Sequence, residues 1–192
     1  MAGQKLQGMK IAILITDDFE QVEMTEPREA LRNEGGVTFL IAPHAGQVQG
    51  FKHDMKAKAF DVDMTLDEAD PADFDAVMLP GGVISADRLR METRAREFVT
   101  RIDELGKPIA VICHGPWLLV SAGLVSGRTI TSYRTLRDDI RNAGGRWLDR
   151  GGVLDRNWVS SRNPGDLPVF NRLMVSLFCS YWEAVQRRRR AA

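Results

Sequence analysis

The chain has 192 residues, 26 Lys and Arg against 26 Asp and Glu, and 44% hydrophobic residues. That size builds one domain with its own core, and a charged fraction of 27% fits a folded chain rather than a disordered one. A formal net charge of zero offers no global field for nucleic acid or an anionic membrane, and two cysteines are too few for a disulfide scaffold. No apolar run reaches the ~18 residues of a membrane span, and Met1 to Met9 lack the apolar stretch of a signal peptide. The expectation is a cytoplasmic protein with residues 10–186 as a single domain, a short N-terminal tail (1–9) and a basic tail (187–192).

In chain order, short apolar runs rich in branched residues predict strands at Lys10–Ile15, Val37–Ile41, Ala76–Leu79, Ile109–Ile112 and Arg128–Thr131. Helical patterns lie between them at Glu20–Glu34, Glu92–Leu105, Pro116–Ala122 and Leu136–Ala143. Glycines follow each helix, where residues that accept positive φ are favoured. Val48–Asp63 alternates enough for an added hairpin or edge strands, and Gly152–Leu154 and Trp158–Ser160 flank the turn Asp155-Arg156-Asn157. A last helix begins near Pro168 and carries an apolar stripe of Leu167, Phe170, Leu173, Met174, Leu177, Phe178, Tyr181, Trp182 and Val185, the pattern of core packing. The repeated β-α-β order predicts an α/β fold, a mostly parallel central sheet with helices on both faces. The four arginines Arg187 to Arg190 read as a solvated run; nucleic-acid binding is the sharper alternative, and nothing else in the chain supports it.

Function in such sheets concentrates at the carboxyl ends of the strands. The first end carries Thr16-Asp17-Asp18-Phe19-Glu20-Gln21-Val22-Glu23, four carboxylates where a nucleotide site would need glycines and free amides. Pro80-Gly81-Gly82 follows the Ala76–Leu79 strand, and paired glycines let the backbone approach a ligand closely. Cys113-His114-Gly115-Pro116 follows Ile109–Ile112 and precedes a helix, the layout of a nucleophile elbow. Amides and dipole at that helix start are expected to lower the thiol pKa and to cradle an oxyanion. Cys179 falls on the apolar stripe and reads as core. Of the three histidines, His44, His53 and His114, none lies beyond the cysteine's immediate neighbour, which excludes a triad with a distant downstream histidine. There is no C-x-x-C and no H-x-x-x-H for a metal.

These segments, with Thr131-Ser132-Tyr133, Asn142-Ala143-Gly144-Gly145 and Asn157-Trp158-Val159-Ser160-Ser161-Arg162-Asn163-Pro164, resemble the DJ-1/PfpI superfamily, its PfpI-type intracellular protease and stress-protein branch above all. The likeness runs from about Lys10 to the last helix. It implies a flavodoxin-like three-layer sandwich, a reactive elbow cysteine, homo-oligomeric assembly and no cofactor. It also implies a glutamate from the first helix hydrogen-bonded to Cys113. Glu20 and Glu23 both match, and counting back from Pro27 favours Glu23. In that branch the histidine after the cysteine pairs with an acidic residue of a neighbouring subunit, here Asp87 where the branch has glutamate. Gly82 and His114 would supply oxyanion amides, and Tyr133 would stand near the pocket, followed by Arg134 where a proline is usual. The implied substrate is a small carbonyl compound, a glycated adduct or a peptide, acted on as glyoxalase/deglycase or as cysteine peptidase. A redox-sensing or protective Cys113 without turnover, or an oligomeric chaperone, is the alternative.

Overall fold

The computed structural model describes residues 4–191; Met1–Gly3 of the expected N-terminal tail and Ala192 of the basic tail lie outside the described residues. The first half runs β1 (Lys10–Leu14), β2 (Phe19–Glu20), α1 (Gln21–Asn33), β3 (Val37–Ala42), β4 (Gln47–Lys52), β5 (Met55–Asp61) and β6 (Met64–Thr65). Next come β7 (Ala76–Leu79), α2 (Val83–Met91), α3 (Thr93–Glu104), β8 (Ile109–Ile112), α4 (Pro116–Ser121) and β9 (Thr129–Ile130). The chain ends with α5 (Arg137–Asn142), β10 (Arg146–Trp147), β11 (Val153–Asp155), β12 (Trp158–Ser161) and α6 (Leu167–Ala191).

The central sheet has the order β11-β12-β8-β7-β1-β3-β6. Every neighbouring pair is parallel except β11 with β12. Because strand side chains alternate between faces, each apolar run feeds two cores. Ile11, Ile13, Met78 and Ile112 pack with Met24 and Leu31 of α1 and Phe170, Met174 and Phe178 of α6. Ala12, Leu14, Val77 and Val111 pack on the other face with Leu89 of α2, Phe98 and Ile102 of α3 and Leu118 of α4. The result is an α/β three-layer sandwich, as the sequence predicts. Each fully buried large side chain contributes roughly 1.5–3 kcal/mol.

Four differences from the sequence reading have physical reasons. Helix α2 gives no clear pattern because its buried residues include the small Ser85 and Ala86, while Val83, Ile84 and Met91 are exposed. The segment before β1 is no loose tail: Leu6 and Met9 are fully buried, and the Trp182 Nε1–H donates to the Gln7 carbonyl. Helix α6 continues through the four arginines to Ala191, so they form its last turns. The predicted Arg128–Thr131 strand shortens to β9 and pairs with β10 outside the central sheet. The hairpin β4–β5 joins β2 in a small three-stranded sheet beside the carboxyl end of β1.

Candidate active site

Strand β8 ends where the chain turns sharply at Cys113. Its N–H donates to the Ser161 carbonyl at 3.1 Å, and its own carbonyl accepts from the Tyr133 N–H at 2.8 Å. Clamped between these two neighbours, Cys113 takes φ 61°, a left-handed conformation costing a residue with a β-carbon about 1–2 kcal/mol. The turn turns the side chain toward a cavity of about 380 Å³. The Gly82 and His114 amides lie near the sulfur, where their pull favours the thiolate. Gly82, at φ 97°, could carry no side chain: a Cβ would lie 2.6 Å from the Glu20 nitrogen.

Glu23, on the first turns of α1, is fully buried and within hydrogen-bonding reach of the thiol. Its Oε2 accepts the Gly81 N–H at 3.1 Å, while its Oε1 has no nitrogen or oxygen partner among the described residues. Burial, against the hydrogen bond from Cys113 and with the nearby Glu20 charge adding to it, raises its pKa to about 8. At neutral pH Glu23 is therefore mostly a neutral acid. Burial likewise pushes the Cys113 thiol up, as does a charged Glu23, against the pull of the Gly82 and His114 amides. The lowered thiol pKa expected from a helix start is thus not found. Helix α4 has only six residues, and its dipole is too small to offset desolvation at 7% exposure. Protonated Glu23 removes the like-charge part of the opposition and can donate to a thiolate.

His114 sits with Nδ1 3.2 Å from the Cys113 sulfur and Nε2 3.4 Å from Thr135 Oγ1. Its ring stacks on Tyr133, centroids 4.7 Å apart, and meets Trp117 at 5.2 Å. Burial lowers its pKa to about 4, so the imidazole is neutral. Among the described residues no carboxylate hydrogen-bonds it. Asp87 lies on the exposed face of α2, and within one chain it does not join the site.

Glu20 caps the start of α1 by position and lines the same cavity without contacting the sulfur. Its Oε2 accepts the His53 N–H at 3.0 Å and lies 3.8 Å from His53 Nδ1. Between the two candidate glutamates, the structure gives the thiol contact to Glu23. Gly82 and Tyr133 line the cavity, and Gly81 packs behind Cys113: a Cβ on Gly81 would strike Glu23 Oε2 and come within 2.6 Å of Cys113 Cβ. Sequence reasoning missed His53 and Phe51, which the β4–β5 hairpin brings to the cavity, and the small wall contributed by Asn163 and Pro164. Only the turn residues Lys52-His53-Asp54 hinted at the hairpin tip, where His53 takes φ 59°. Among the described residues no group of three His, Cys, Asp or Glu could hold a metal ion, and no helix is long and apolar enough to cross a membrane.

A family profile described as "DJ-1/PfpI family" matches residues 9–177. The chain belongs to the DJ-1/PfpI family. It is 45% identical over 169 residues to "Deglycase PfpI" of Pyrococcus furiosus, a match spanning 88% of this chain and 99% of that protein. It is 42% identical over 170 residues to "Protein/nucleic acid deglycase 2" of Escherichia coli, spanning 88% and 96%. Among solved structures, Drosophila melanogaster DJ-1beta superposes with a TM-score of 0.79 at 23% identity, covering 93% of this chain and 96% of that one. That last likeness concerns the DJ-1-type fold alone.

Proposed function

We propose that this DJ-1/PfpI protein is a cysteine-dependent enzyme of the cytoplasm. It acts on the carbonyl carbon of small aldehydes such as methylglyoxal, or of their adducts on proteins, as part of a carbonyl-stress response. The observation that carries the reading is the Cys113 sulfur, held at φ 61° beside a protonated Glu23 and facing the cavity. The deglycase names of two relatives support it. The sulfur adds to the aldehyde carbon, and the carbonyl oxygen takes a proton to give a hemithioacetal. In an α-oxoaldehyde, hydrogen then moves to the neighbouring carbonyl carbon, leaving a thioester that water cleaves to a 2-hydroxy acid and the free thiol. One carbon is oxidised as its neighbour is reduced, so no external oxidant enters. Glu23 supplies and recovers the proton, and the Gly82 and His114 amides stabilise the developing oxyanion.

Peptide cleavage ranks behind this chemistry. An amine leaving group needs a competent acid, and His114, with a pKa near 4 and Thr135 as its outer partner, is a poor one. A carboxylate for His114 would come from Asp87 of a second copy. The exposed Val83, Ile84 and Met91 on the same helix support such a homo-oligomer. The test is an assay of purified protein with methylglyoxal and with a fluorogenic peptide, each beside Cys113→Ser. Cys113-dependent aldehyde turnover faster than peptide cleavage is the expected result. The reverse order would make it a peptidase, and no turnover of either would leave a redox thiol.

A further inference from the structure

Three carboxyl groups line the Cys113 cavity, and they are not equivalent. Glu23 is the neutral acid beside the sulfur. Asp18, also at positive φ, is neutralised by Arg88, whose guanidinium lies 2.9 Å from its Oδ2. Among the described residues Glu20 has no such partner: its nearest basic group there is His53 Nδ1 at 3.8 Å, on a side chain 76% exposed to water. The Glu20 side chain is itself only 12% exposed, so its charge acts through protein more than through solvent. No lysine or arginine lines the cavity among the described residues, and its apolar lining includes Phe51, Val83 and Ile84. Glu23 lines the same cavity, and its buried Oε1 has no nitrogen or oxygen partner among the described residues.

We infer that Glu20 is a specificity-determining residue that makes this cavity admit neutral and positively charged carbonyl compounds and disfavour anionic ones. The substrates fitting it are aldehydes or aldehyde adducts bearing an ammonium or guanidinium arm. Those excluded are α-oxo acids, whose carboxylate would lie beside Glu20 with no cation to receive it. The inference rests on the reading of Cys113 as the reactive thiol of this cavity. Discrimination of this kind works by repulsion of the wrong ligand as much as by attraction of the right one.

Alkylation of Cys113 tests this without any turnover. Iodoacetate, iodoacetamide and 2-bromoethylamine carry negative, zero and positive charge, and each rate at Cys113, followed by mass mapping, is divided by that reagent's rate with 2-mercaptoethanol. Ratios between reagents cancel changes in the thiol's own ionisation. The wild type should disfavour iodoacetate against iodoacetamide by about 5-fold and favour bromoethylamine. Glu20→Gln, which keeps an acceptor for the His53 amide, should bring the iodoacetate ratio to within about 2-fold of parity. Arg88→Gln, which unmasks Asp18, should move it the other way. Equal ratios in the wild type and Glu20→Gln would overturn the inference, as would an Arg88→Gln shift toward parity. Cys113 unlabelled by all three reagents would remove the reactive-thiol reading itself, and the inference with it.

Discussion

The two cysteines are equally buried, each 7% exposed, and burial pushes both thiols up. Cys179 sits within α6 among apolar side chains, on regular helical backbone. Cys113 sits on a left-handed turn with an acid, an imidazole and two amides around its sulfur and a cavity in front of it. Exposure therefore does not distinguish a core cysteine from a candidate nucleophile. Backbone geometry and neighbours do.

The largest expected difference between the two is in turnover. Cys113→Ser should lower methylglyoxal turnover by about 10³-fold or more, since the bond-forming atom is gone. Cys179→Ser should stay within about 2-fold when corrected for folded protein, because it touches nothing at the cavity. Steady-state kinetics on both variants decides it, and comparable losses would dissolve the contrast.

Next comes the space behind Cys113. The Gly81→Ala Cβ would collide with Glu23 Oε2 and Cys113 Cβ at once. Neither neighbour can retreat, since Glu23 is fully buried and Cys113 is clamped by Ser161 and Tyr133. The variant should lose about 3 kcal/mol in chemical denaturation as well as most of its activity. Among the described residues no glycine near Cys179 plays such a part, so a stable, active Gly81→Ala protein would mean the glycine pair is ordinary turn chemistry.

Much of this contrast was legible in the sequence. Apolar runs such as Ile109–Ile112 announce strands buried on both faces, and a cysteine between such a run and Gly115-Pro116 announces the elbow. The six-residue helix after it was legible too, but not how little its dipole would weigh against burial. Helix α2 was hidden because its buried face sets only one large apolar residue, Leu89, beside Ser85 and Ala86. Ser85 is there to bond both the nitrogen and the carbonyl of Thr16, fixing α2 to the end of β1. The role of His53 was hidden because a hairpin distant in sequence delivers it. Glu20 and Glu23, three apart in sequence, differ in role through one fact of geometry: the first faces the hairpin and the second faces Gly81 and the thiol.

The ionisable groups around Cys113 also predict a pH signature. Glu23 is held near 8 when folded against an ordinary 4.5, so the folded state binds the extra proton between those values and stability falls as pH rises through that window. His114 is held near 4 against 6.5, so the unfolded state binds the extra proton there and stability rises with pH from about 4 to 6.5. The two slopes oppose one another where the windows overlap. Between pH 6.5 and 8 only the Glu23 effect remains, a loss of about 2 kcal/mol. Urea denaturation between pH 6.5 and 8 should show this decline in the wild type and a flat profile in Glu23→Gln. The same decline in Glu23→Gln would mean that another group carries it.

The smallest effect is the one that most directly separates the two sites. At Cys113 the left-handed backbone is a cost that any β-carbon pays and glycine does not. Cys113→Gly should therefore be more stable than Cys113→Ala by about 1 kcal/mol, both having lost the sulfur and its contacts. At Cys179 the backbone is helical, where glycine is worse than alanine by about 1 kcal/mol. There the order should invert, with Cys179→Gly the less stable. Comparing the two Gly/Ala pairs cancels the loss of the thiol at each position and leaves only the conformational term. Opposite signs at equal burial would tie the reactivity of Cys113 to a strained turn that the surrounding fold maintains. The same sign at both would mean that the elbow stores no strain, and that the neighbours alone set Cys113 apart.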